Sequence, residues 1–249
     1  MRDMFTYYLD RGLSAVEIIV RQFDDRIWYV PNLICDEVLD KIKEKVSNIV
    51  YYEINDDFGW AATIGGAEPK VFYIIDYFGK EFKVGSSAPP NTIVIRDSVW
   101  FPYPYSRVEG NQIWFNSLRK IFRGAKGCSM VSGFRFMQLD TVPNLYYHPY
   151  LSWEEADIRF KNYYKCIDIF NKHLIDDFLA DFPTVFPIRL KNRDEVLERA
   201  GLTGKLPGMW KNKHGLDHTY YKELTFIPVD SRFNEKSLTE LAAKIDTAL

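Results

Sequence analysis

Cysteine is scarce in this 249-residue chain, and its placement excludes two classes at once. Cys35, Cys128 and Cys166 are odd in number and widely spaced, so they form neither a disulfide framework nor a zinc motif. They read as small buried apolar side chains in a protein of a reducing compartment. Charge of one sign is also missing. The 32 Lys and Arg against 34 Asp and Glu leave a net charge of -2, which gives no ground for a nucleic-acid or membrane-surface partner. No apolar run approaches the ~18 residues of a membrane span. The opening Met1-Arg-Asp-Met-Phe5 lacks the apolar core of a signal peptide, so the expected location is the cytoplasm, with no membrane or nucleic-acid partner. Repeats and low-complexity tracts are absent. Of the four histidines only His214 and His218 are spaced i, i+4, in a stretch without His-Glu-x-x-His character, so no metal site is expected.

Hydrophobic and aromatic residues are plentiful, at 47% and 16%. They suffice for a sizeable core in one large domain or two small ones. Ser14 to Phe23 has helical apolar spacing, Arg26 to Val30 reads as a strand, Cys35 to Ile49 as an amphipathic helix, and Val50 to Ile54 as a strand. This alternation predicts an α/β fold with a mostly parallel central sheet. Val71 to Ile75 is a near-continuous apolar run, as expected of a strand buried on both faces. Thr92 to Ile95 is a further strand. Gly127 to Ser132 and Gly133 to Met137 are expected to form a hairpin around a Ser-Gly turn. Helical periodicity runs from Ser152 to Phe182, with Ser152 and Glu155 spaced as a capping box. The tail holds strands at 184–190 and 224–229 and helices at 193–200 and 236–249. The expected division is a large domain over 1–165 and a small α+β C-terminal domain over 166–249.

One stretch stands out, from Ile113 to Gly127. A short apolar run breaks at Asn116 and Ser117, and Lys120 follows three residues later, with Gly124 and Gly127 beyond. Upstream, the run ending at Ile95 leads into Arg96-Asp97-Ser98. A pyridoxal phosphate (PLP) site needs an aspartate just past one buried strand and a lysine just past another. The lysine forms the Schiff base and the aspartate pairs with the protonated ring nitrogen. Taken alone, either residue reads as an ordinary strand-end Asp or a solvated Lys. Gly12, Leu13 and Ser14 open a helix whose N-terminus could hold a phosphate, although by pattern alone an ordinary Ser N-cap is the favoured reading. Trp100 to Tyr105 reads either as an aromatic wall for a ring or as a packed loop. In open α/β sheets ligands bind beyond the carboxyl ends of the strands, which is where Pro31, Asp76, Asp97 and Ser117 fall.

Ser117-Leu-Arg-Lys120, placed after Arg96-Asp97-Ser98 and after Arg11-Gly-Leu-Ser-Ala15, resembles the DegT/DnrJ/EryC1/StrS sugar aminotransferases. Val30-Pro-Asn-Leu-Ile-Cys35, Tyr73-Ile-Ile-Asp-Tyr-Phe-Gly79 and Leu224-Thr-Phe-Ile-Pro-Val-Asp230 extend the same order along the chain. The resemblance implies a fold type I, PLP-dependent aminotransferase, unusually short for that family. The implied reaction passes an amino group, usually from glutamate, to a nucleotide-linked keto sugar for surface polysaccharide. It implies a homodimer with the cofactor near the subunit interface. Lys120 and Asp97 would be catalytic; Gly12, Leu13, Ser14, Cys35, Asp97, Trp100, Ser117 and Lys120 would bind cofactor, with Arg119 a further basic candidate. Three positions depart from the family pattern. Asp76 stands where relatives often carry His, and Trp100 where they carry Gln or His. The Asn-Tyr-Arg segment has only faint counterparts at 144–147 and 162–164. The alternative is a diverged homologue that keeps the fold as a non-catalytic binding module or runs another reaction.

Overall fold

A computed structural model describes residues 4–61, 65–81, 91–102, 108, 110–122, 125–140, 153–175, 178–206 and 210–249. Its contacts divide the chain into two compact units. The first comprises Met1–Asn55, Gly59–Tyr77 and Glu81–Tyr150; the second comprises Asp56–Phe58, Phe78–Lys80 and Leu151–Leu249. The main break thus falls at 150 rather than at 165, because a long helix over Trp153–Ile169 lies wholly within the second unit.

The first unit holds strands β1 (Phe5–Leu9), β2 (Ile27–Pro31), β3 (Ile49–Ile54), β4 (Trp60–Ala61), β5 (Lys70–Ile75), β6 (Thr92–Asp97), β7 (Gln112–Phe115) and β8 (Cys128–Ser132). Helices α1 (Gly12–Gln22), α2 (Asp36–Lys43) and the one-turn α3 (Leu118–Ile121) connect them. The strands form one sheet in the order β1-β8-β7-β6-β5-β2-β3-β4. The pairs β3·β2, β2·β5, β5·β6 and β6·β7 are parallel, whereas β8 runs antiparallel to both β7 and β1. Every residue of β5 is buried, as its continuous apolar run predicts, and that includes Lys70. The Lys70 ammonium is satisfied locally, donating to the carbonyls of Gly66 at 3.0 Å and Glu68 at 2.8 Å.

Register brings the strand ends into line. Ile75 pairs with Asp97, and Asp97 with Phe115. Side chains alternate across a sheet, so Tyr73, Ile75, Ile95, Asp97 and Phe115 share one face, and Ile74, Arg96 and Trp114 share the other.

Several expectations are corrected here. The first strand, β1, was not foreseen. Residues 133–137 form no strand, so there is no hairpin; β8 takes β7 and β1 as its partners instead. Helix α2 stops at Lys43, short of Ile49. The expected Ser152 cap lies outside the described residues.

The second unit contains α4 (Trp153–Ile169), β9 (Val185–Arg189), α5 (Arg193–Arg199), α6 (Tyr220–Glu223), β10 (Leu224–Pro228) and α7 (Glu235–Ala248). Helix α4 ends at Ile169 instead of running on to Phe182. Strands β9 and β10 pair antiparallel, and α4, α5 and α7 cover them with a core that includes Phe170, Phe186, Ile188, Ile227, Leu238 and Ile245. Helix α7 starts with a capping box, Asn234 accepting from the Ser237 amide and Ser237 from the Asn234 amide.

Two phenylalanines of this unit have left-handed backbones, Phe58 at φ 62° and Phe78 at φ 54°. Such a bulky residue with positive φ costs roughly 1–2 kcal/mol. Burial holds both in place: their rings meet edge to face at 5.1 Å, and Phe58 also packs on Phe178 and Tyr220. Beside them Gly79, at φ +85°, approaches the backbone of Phe182, whose amide donates to the Gly79 carbonyl at 2.8 Å.

Candidate active site

The site is built on the carboxyl ends of β5, β6 and β7. Asp97 is the last residue of β6, not the first beyond it, and is 5% exposed. One carboxylate oxygen, Oδ2, accepts from the Tyr73 hydroxyl at 2.7 Å. The other, Oδ1, is buried without a hydrogen-bond partner among the described residues. Burial pushes the Asp97 carboxyl up to about 6, against the pull of the Lys120 ammonium, the Tyr73 hydroxyl and the Val99 amide.

Lys120 sits on α3, immediately beyond β7. Its Nζ lies over the Trp100 ring, 4.7 Å from the centroid, a cation–π contact. Burial pulls the ammonium below the usual lysine range, and the charges of Asp97 and Cys35 oppose that shift. Cys35 is the N-cap residue of α2; burial raises its thiol, partly offset by the Glu37 amide and the Lys120 charge. Trp100 therefore touches the Lys120 amine, and Asp97 and Cys35 lie near enough for their charges to act on it.

Gly12, Leu13 and Ser14 form the first turn of α1, which abuts the exit of β7. A β-carbon at Gly12 would lie 3.2 Å from the Asn116 carbonyl and 3.7 Å from Ser117 Cβ, so glycine is what permits this approach. The helix start thus lies beside buried Ser117. Ser14 is not the N-cap; that position belongs to Arg11, and the Ser14 hydroxyl donates to Asp10 Oδ1 at 2.5 Å. Anion binding here would rest on the first-turn amides and Ser117. Arg119 is exposed.

Two supporting residues were not singled out from the sequence. Asn116 is fully buried and ties three pieces together. It donates to the carbonyls of Phe101 at 3.2 Å and Pro102 at 3.1 Å, and accepts from the Ser129 amide at 2.8 Å. Tyr73 is the other. A buried tyrosine needs an acceptor for its hydroxyl, and register with β6 puts Asp97 within reach. Asp76, also fully buried, lies with the opposite face: it pairs with Arg96 at 3.0 Å and accepts from the Ser98 hydroxyl. Asn162 spends its amide within the second unit, on the carbonyls of Val229 and Phe233. Tyr103 to Tyr105, Gly124 and the 144–147 segment lie outside the described residues.

No group of three or more potential metal ligands occurs among the described residues, and none of their helices is long and apolar enough to cross a membrane.

No protein-family model matches the sequence, and no curated protein does. Solved structures do match. A DegT DnrJ EryC1 StrS aminotransferase from Brucella abortus superposes with a TM-score of 0.69 at 12% identity, over 97% of this chain and 85% of that one. A putative sugar aminotransferase from Streptococcus pneumoniae, in its PMP form, gives 0.69 at 12% over 98% and 87%. PseC of Helicobacter pylori, an aminotransferase of pseudoaminic acid biosynthesis, gives 0.66 at 13% over 98% and 86%. The chain has the fold of the fold type I, PLP-dependent aminotransferases of the DegT/DnrJ/EryC1/StrS kind.

Proposed function

We propose that this protein is a PLP-dependent aminotransferase that passes the amino group of glutamate to a nucleotide-linked keto sugar, in the synthesis of a surface polysaccharide, and that it works as a homodimer. The observation that carries the reading is Asp97. A buried carboxylate with one oxygen held by Tyr73 and the other unpartnered is costly unless a cation completes it. The protonated ring nitrogen of PLP is such a cation. The sugar substrate rests on the neighbours described as sugar aminotransferases.

Bound PLP supplies an electron sink for carbanion chemistry at the amino-bearing carbon. The protein does the rest. Asp97 would keep the proton on the ring nitrogen. Lys120 would provide the amine that holds the cofactor and the base that moves the proton; burial pulls its ammonium below the usual lysine range, which raises the share of neutral amine, the form that attacks and accepts protons. The first turn of α1 and Ser117 would hold the phosphate, and Trp100 flanks the amine. Asn116 fixes the segment after Asp97 to β8, so Asp97 and Trp100 keep their places through turnover.

Borohydride reduction of the PLP-treated protein followed by peptide mapping tests the site. The pyridoxyl group is expected on Lys120, and Lys120→Ala should abolish both the label and the visible band. Label at another lysine, or none at saturating PLP, refutes the assignment.

A further inference from the structure

The reading above gives Asp97 its task but does not say what aims the carboxylate. We propose that Tyr73 is the positioning residue of this site: its hydroxyl occupies Asp97 Oδ2, leaving Oδ1 as the one oxygen open to the ring nitrogen. This rests on the proposed PLP function for its purpose, though not for its geometry.

Three observations support it. The first is the bond itself, 2.7 Å between two side chains that are 0% and 5% exposed. The second is that Tyr73 is itself immobilised. It lies in β5, paired with Ile95 of β6, and its ring stacks on Trp28 at 6.4 Å with planes 26° apart. The Tyr52 hydroxyl, reaching from β3, donates to the Tyr73 carbonyl at 2.8 Å. The third is the asymmetry of the acceptor, whose other oxygen has no partner among the described residues. A carboxylate whose two oxygens were equally free could rotate and share its charge between them. One oxygen tied from within the sheet gives the side chain a single orientation.

The donor direction is fixed as well. Burial and the adjacent Asp97 charge push the Tyr73 hydroxyl well above its usual range, so it remains a proton donor at all working pH values. A permanent donor favours the ionised carboxylate and opposes its desolvation. The groups acting on Asp97 are Lys120 from α3, Tyr73 from β5, the Val99 amide just beyond β6, Asp76 just beyond β5, and the thiol of Cys128 on β8. Tyr73 is the one side chain among them hydrogen-bonded to the carboxylate; Asp76, held by Arg96 and Ser98, acts by charge alone and in the opposite sense.

The test uses PLP-free protein carrying 13C in its aspartate carboxyls, with the Asp97 resonance assigned by its loss in Asp97→Asn. Wild-type Asp97 is expected to titrate near 6. Tyr73→Phe should raise that midpoint by about one to two pH units, the worth of a hydrogen bond to a charged group. Replacing Tyr73 with 3-fluorotyrosine, a stronger donor of nearly the same shape, should lower it. Opposite shifts from the two variants are not what a mere packing residue gives. The fluorinated protein also decides the matter if Tyr73→Phe does not fold. In PLP-loaded protein the acid limb of the glutamate half-reaction should move to higher pH in Tyr73→Phe. An Asp97 titration unmoved by either replacement overturns the proposal, whatever PLP does. Shifted titrations in a protein that takes up no PLP would overturn the aminotransferase reading and leave the Tyr73–Asp97 assignment standing.

Discussion

Replacing Asp97 by Asn should make the cofactor-free protein more stable and the loaded enzyme far slower. The structural reason is that the fold raises the Asp97 carboxyl from 3.8 to about 6. A carboxylate whose folded value lies above its unfolded one binds its proton more tightly when folded. Its contribution is therefore neutral below the unfolded value and turns destabilising as pH rises through the window from about 4 to 6. At pH 7 the ionised form costs about 3 kcal/mol. Asparagine removes the charge and keeps the shape, and its amide inherits a place without an acceptor, which returns about 1 kcal/mol. The net gain is about 2 kcal/mol, or roughly 4–8 °C in melting temperature for a chain of this size. At pH 5 wild-type Asp97 is largely protonated, so the penalty should fall to about half and the net gain to about a third. With PLP bound the sign reverses. The variant then lacks the counter-charge of a buried cation, a loss of about 3–5 kcal/mol, and the glutamate half-reaction should slow by a factor of about 10² to 10³. Thermal denaturation of both proteins at pH 7 and pH 5, without and with PLP, reads all four terms. An Asp97→Asn protein less stable than wild type by the same margin at both pH values, without PLP, would refute the desolvation reasoning. Unchanged half-reaction kinetics would refute the pairing.

Gly79→Ala should destabilise the second unit severely, because the new β-carbon would lie 1.8 Å from the Phe182 carbonyl oxygen at a φ of +85°. A loss above about 3 kcal/mol is expected, and a melting temperature within a degree of wild type would show that this approach relaxes freely. Sedimentation of the PLP-loaded protein at micromolar concentration should give a dimer, and a monomer there would count against the proposed assembly.

The parallel centre of the sheet was legible because β5, β6 and β7 are short apolar runs ending in polar residues, a local signal. The places of Asp97 and Lys120 in the chain were legible for a related reason, since each follows closely on an apolar run. What escaped lies in the pairing. β1 is a five-residue edge strand whose one buried residue is Tyr7, so its pattern shows neither alternation nor a continuous apolar run. The Ser132-Gly133 turn signal suggested a hairpin, but the partners of β8 are set by distant strands that bury it on both sides. Ser14 looked like a helix cap by residue type, and the choice of Arg11 depends on backbone angles that no side chain announces. Tyr73 escaped because its importance lies in an acceptor on another strand. The main division was misplaced because helical periodicity from 152 to 182 says nothing about which core the helix joins.

The second unit takes two of its core rings, Phe58 and Phe78, from excursions of the chain far upstream of Leu151. During synthesis those rings leave the ribosome long before Phe178, Tyr220 and Phe226, the aromatics that bury them. Until then their left-handed backbones have nothing to hold them and their faces remain wet. Nascent chains shorter than about residue 226 therefore carry a sticky, unfinished surface, where premature association competes with folding. A fragment beginning at Leu151 would lack both rings and keep a hole in the same cluster.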